Sequence, residues 1–124
     1  MIATTQEQSQ RLLRCGVPAD TADMCFDSGA LSLMDYDSAV HERDSRRETY
    51  EVIPAWSLSA LLTKVLPHNI SVDKYEHKGA MEYEVGCYFT GHRDKIAFTA
   101  PDPIEACVQL IEWLMENNYK LNEQ

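Results

Sequence analysis

Residues 99–120, "TAPDPIEACVQLIEWLMENNYK", spell out a helix that is greasy around most of its girth. Asp102 is placed as the N-cap and Pro103 as the first helical residue, with its backbone angle preset. Glu105, three residues on, is expected to reach back and complete a capping box. Both carboxylates also sit at the positive end of the helix dipole. Ile104, Cys107, Val108, Ile111, Leu114 and Met115 form one stripe at the 3.6-residue period, and Glu105, Gln109, Glu112 and Glu116 form a narrow polar edge. Ala106, Leu110 and Trp113 carry the apolar surface further. A helix lying on one sheet face needs a stripe only about 100° wide. This helix is therefore expected to be covered from more than one direction.

Two covers fit. N-terminal helices could fold over as a lid, or a second copy or another protein could dock there. In the second case Ala106, Leu110, Trp113 and the neighbouring Tyr119 are the interface. Symmetric dimers are the commonest assemblies and Trp is enriched at interface centres. Burying Trp113 and Leu110 contributes several kcal/mol at about 25 cal/mol/Å²; leaving them bare invites aggregation.

Upstream the period changes from 3.6 to 2. In "MEYEVGCYF", residues 81–89, Met81, Tyr83, Val85, Cys87 and Phe89 alternate with Glu82, Glu84, Gly86 and Tyr88. "NISVDKYEH", 69–77, puts Ile70 and Val72 on one face and Ser71, Asp73 and Tyr75 on the other. "KIAFTA", 95–100, turns Ile96 and Phe98 inward. The connections, Lys78-Gly79 and Gly91-His92-Arg93-Asp94, are too short for parallel crossovers, so the three segments are expected to pair antiparallel. Further upstream, "ETYEVIPAW" predicts a strand over 48–53 ended by Pro54. "WSLSALLTKVLP" predicts a short helix with Ser57 as N-cap, Trp56 stapled onto Leu61, and Leu58, Leu61, Leu62 and Val65 on one face.

The first 34 residues predict a helical hairpin. Thr4 with Glu7 fits a capping box for a helix over 4–15, Gly16 stops it, and Pro18 opens a second helix over 18–26. A DNA-reading helix needs basic and amide side chains; here stand Asp20, Asp23 and Asp27. "DYDSAVHERDSRR", 35–47, has neither period and is expected to be a charged linker. The resulting plan is an N-terminal helical segment (1–34), the linker (35–47), a core (48–119) and a tail (120–124). The expected class is α+β: a small, mainly antiparallel sheet of three to four strands with packed helices, sandwich-like, plus the N-terminal hairpin.

Composition narrows the function. The chain has 124 residues and a net charge of −9, and none of the segments 1–34, 35–48, 49–100 and 101–124 is net basic, which disfavours direct nucleic-acid binding. No apolar run approaches a membrane span, and "MIATTQEQSQRLLR" has no signal-peptide layout, so a cytoplasmic location is expected. Cys15, Cys25, Cys87 and Cys107 are scattered and expected as free thiols. With His41, His68, His77 and His92 they form no metal-ligand spacing, and no phosphate-cradling glycine motif exists. No catalytic, cofactor-binding or metal residue is assigned. Glu82 and Glu84, with Asp73 opposite, offer a weaker reading as a cation site.

From Pro54 onward the layout resembles the phage α-β-α sandwich family, small proteins of bacteriophages and integrated elements. Pro54, Trp56, Ser57, Leu61 and Leu62 in the leading short helix carry the likeness, with Asp102, Pro103, Glu105 and Ala106 in the closing one. The resemblance spans roughly 54–119 and implies a fold and a genomic setting, with no activity to transfer. The expected function is a non-enzymatic accessory protein acting through protein contacts, with a homodimer or another protein as partner. The alternatives are an acidic DNA mimic that inhibits a DNA-binding enzyme and, behind it, a small metal-dependent hydrolase or nuclease.

Overall fold

Thr5, not Thr4, opens the first helix in the computed structural model, which describes residues 2–88 and 95–122. In α1 (Gln6–Cys15) the Thr5 hydroxyl accepts from the Gln8 backbone N–H, and the Gln8 side chain accepts from the Thr5 N–H. This is a capping box one residue later than expected. Thr4 is buried instead. Its hydroxyl meets Ser9 Oγ at 2.8 Å and accepts from the Trp56 backbone N–H at 3.1 Å, while its own N–H donates to the Trp56 carbonyl at 2.9 Å. Gly16 ends the helix at φ 106°, and the Val17 N–H closes back on the Leu12 carbonyl at 3.0 Å.

The second helix expected over 18–26 is absent. Pro18 starts only a single 3₁₀ turn, Ala19–Thr21, before the chain extends into β1 (Met24–Asp27). The turn Ser28-Gly29 folds it back as β2 (Ala30–Ser32), and β3 (Val52–Ala55) pairs antiparallel on the other side of β1. β3 contains Pro54, opposite Cys25, rather than stopping before it. A proline is tolerated there because β3 is an edge strand of the β2-β1-β3 sheet.

The expected linker is also structured. Residues Tyr36–Ser45 form α2, whose N-cap Asp35 accepts from the Ser38 N–H at 2.8 Å. α2 lays Ala39 onto Cys25 and Val52, flanked by Tyr36, Val40 and Tyr50, as a small separate core.

Ser57 caps α3 (Leu58–Ala60), which runs on as a π-helical turn, Leu61–Val65. The Leu66 N–H reaches five residues back to Leu61 O at 2.8 Å. Asp23 anchors this start by accepting from the Ser57 N–H at 2.9 Å and from its hydroxyl.

The second sheet follows the period-2 reading. β4 (Ile70–His77), β5 (Ala80–Cys87) and β6 (Ile96–Ala100) pair antiparallel in the order β4-β5-β6. Val85 faces Val72 and Phe98 in register, and Cys87 faces Ile70 and Ile96. Phe89, His92 and the expected Gly91–Asp94 connection lie outside the described residues.

α4 (Pro103–Glu116) closes the core. It packs on β5, β6, the π-helical turn and α1. The α+β class therefore holds, with two three-stranded antiparallel sheets where one sheet of three to four strands was expected. Trp56, Leu61, Val85, Ile104, Leu110 and Leu12 share the main core.

Candidate interaction surfaces

The outer face of α4 is mostly not a surface. Ala106 and Leu110 are both 0% exposed inside this chain, so the first two members of the expected interface are interior residues. The lid supplies part of the cover: α1 runs along α4, with Arg11 bridging Glu105 at 2.8 Å and reaching Glu112 as well. Glu105 makes no capping box. Asp102 caps the helix through the Ile104 N–H at 3.0 Å, and Glu105 accepts from Arg11, Gln8 and Gln109 instead. Trp113 is half-buried and stacks on Tyr119, ring centroids 5.5 Å apart and 19° from parallel. Phe98, Gln109, Glu112, Trp113 and Glu116 line a shallow recess of about 300 Å³ there.

The groups with catalytic potential are muted. Burial, reinforced by Asp102, pushes the Cys107 thiol up to about 12. Burial likewise raises Cys15, Cys25 and Cys87, so none is poised as a thiolate. All four cysteines are free. On the outer face of the second sheet, Lys95 Nζ lies 2.5 Å from Glu84 and 3.6 Å from Asp73. An ammonium thus occupies the place between two carboxylates that the cation reading needs. Among the described residues no group of three or more His, Cys, Asp or Glu side chains is placed to hold a metal ion. Nor is any helix among them long and apolar enough to cross a membrane.

Another set of exposed apolar side chains lies at the other end of the chain. Ile2 is 63% exposed, Leu33 76%, Met34 41% and Leu31 38%. A recess of about 310 Å³ opens between the N-terminal segment and the first sheet, walled by Ile2, Ala3, Phe26 and Leu31. Its walls are held: Thr4 is tied to Trp56, and Phe26 sits in the central strand β1 opposite Leu31. The adjoining strand β2 is an edge. The sequence pattern assigned residues 1–34 to an N-terminal helical segment, with helices over 4–15 and 18–26, and missed the patch. The available signal was "ALSLM", 30–34, an apolar run beside the turn Ser28-Gly29.

The second sheet contributes a projecting hairpin. Residues 72–81 of β4 and β5, including Val72, Tyr75 and Met81, are all exposed. No family model, curated protein or solved structure matches this chain.

Proposed function

We propose that the protein is a non-enzymatic accessory protein of a phage or mobile element, working by gripping a partner protein through the patch around Ile2, Leu31, Leu33 and Met34. The observation that carries this reading is the apolar recess between Ile2, Phe26 and Leu31, with Leu33 and Met34 exposed two and three residues along the chain from Leu31. A pocket with apolar walls and projecting aliphatic side chains is what a partner's anchor residue buries against. The genomic setting rests on the resemblance over residues 54–119. Raised thiols and carboxylates already matched by Lys95 give the metal-dependent hydrolase no comparable support.

The acidic-mimic alternative needs one continuous face of unmatched carboxylates. Against it, Arg11 clamps Glu105 and Glu112, Lys95 bridges Asp73 and Glu84, and Arg46 pairs with Glu42. Both signs are interspersed, as on an ordinary soluble surface.

Capture from a native-host extract tests the reading, using tagged wild type beside Ile2→Asp and Leu33→Asp. Both positions are exposed, so the fold should survive, as circular dichroism would confirm. Wild type should retain a discrete partner, and each variant should lose about tenfold or more of it. Retention indifferent to both substitutions but abolished by salt would instead favour the acidic mimic.

A further inference from the structure

The β4–β5 hairpin carries a second self-consistent pattern, independent of the Leu33 patch. β4 is the outer strand of its sheet, eight residues long, with no proline or glycine to blunt it. Its two-residue turn, Lys78-Gly79, has φ of 51° and 81°, and sets His77 opposite Ala80. In such a hairpin the pair flanking the turn is hydrogen-bonded, and bonding alternates from there. Tyr75 and Asp73 therefore turn their peptide groups toward β5, while Lys74 and Glu76 turn theirs to the open edge.

We propose that β4 pairs antiparallel with β4 of a second copy about a two-fold axis through Tyr75, joining the two β4-β5-β6 sheets into one. The register follows from charge. With the axis at Tyr75, Lys74 lies opposite the partner's Glu76 and Glu76 opposite the partner's Lys74. These are the residues whose peptide groups face outward, so both pairs exchange backbone hydrogen bonds. On the other sheet face Asp73 lies opposite the partner's His77, and the two Tyr75 rings meet at the centre. Val72 comes to lie beside the stem of the partner's Lys78.

Other registers fail this test. An axis through Asp73, Lys74 or Glu76 sets identical charges directly against each other, which destabilises a strand pair. One through Val72 leaves Lys74 opposite Ile70, and one through His77 reduces the overlap to the tip. Lys74 is the sort of charge that guards an edge against indiscriminate pairing; in this register the guard becomes the selector. Exposure of residues 72–81 on both faces leaves room for a second hairpin alongside.

Sedimentation velocity over a concentration series tests the contact with charge-swapped chains. Wild type should self-associate. Lys74→Glu alone and Glu76→Lys alone should each weaken association by about tenfold or more, since every opposed pair becomes like-charged. An equimolar mixture of the two variants should recover wild-type association as a heterodimer, and the doubly swapped chain K74E/E76K should recover it alone. Both positions are exposed, and recovery on mixing proves the variants folded. Leu33→Asp should leave self-association unchanged, which separates this contact from partner capture. A monomer at about 100 μM wild type, or a dimer indifferent to the swaps, overturns the proposal. So does failure of the mixture to associate.

Discussion

Gly16 stands where three demands meet: it ends α1, adopts φ 106°, and would bring a Cβ to 3.1 Å from Met115 Cε. A left-handed backbone strains any L-residue, and here the helix-closing side of α4 crowds the same point. Gly16→Ala should lower stability by about 1–3 kcal/mol, read from urea midpoints. Gly29→Ala, at φ 88° with nothing within 4 Å of its Cβ position, isolates the backbone part and should lose only about 1 kcal/mol. Equal losses at the two sites would show that the Met115 contact contributes nothing. Gly16 was legible as a stop because glycine after a helix has few other uses. Thr4 and Thr5 were not separable, since each is a good cap with an acceptor three residues on. What separates them is a contact across 52 residues, Thr4 to Trp56, that no local pattern records.

Between elements, the α1–α4 contact turns on Arg11. Its guanidinium is held between Glu105 and Glu112 with 22% of the side chain accessible, and those partners raise its affinity for a proton above the ordinary arginine value. Burial works against the charge on Glu105, but hydrogen bonds from Arg11, Gln8 and Gln109 outweigh it and hold that carboxyl below its usual value. A depressed folded value means the stabilisation is complete at neutral pH. It is lost as pH falls past the ordinary carboxylate range and through the folded value. Arg11→Met should lower stability by about 1–2 kcal/mol near pH 7, because it strands two partly buried carboxylates. The same variant should flatten the acid limb of a melting-temperature profile; parallel profiles for wild type and variant would remove Glu105 as its origin. The breadth of apolar surface on α4 correctly called for cover from more than one side, and α1 with the sheet provides it. The expected capping role of Glu105 failed for the same reason, since a carboxylate within reach of a lid's arginine has a stronger partner than a backbone N–H.

At the scale of the whole molecule, two cores of unequal depth share one chain. The main one joins α1, α3, β5 and α4 around Trp56 and Leu110; the other is Cys25, Ala39 and Val52 under α2. Most of what was misread from sequence lies around the small core. β1 and β2 are four and three residues long, too short to display alternation, and α2 buries Ala39 alone, so neither period shows. Patterning is legible in proportion to the apolar area an element buries, which also scales with how hard that element is to open. The amides of α2 and β2 should therefore exchange with solvent through a partial opening, at rates well above those of α4 and β5. Native-state hydrogen exchange in low denaturant distinguishes the cases. Two protection levels are expected, with α2 and β2 on the lower, and a single common level would mean that Cys25 and Val52 bind the small core to the large one as one cooperative unit. Because Phe26 and Leu31 stand on β1 and β2, in the sheet whose Cys25 and Val52 form the lesser core, and also wall the apolar recess, the same opening would loosen that surface. Partner binding there should accordingly raise the protection of β2 more than that of β5.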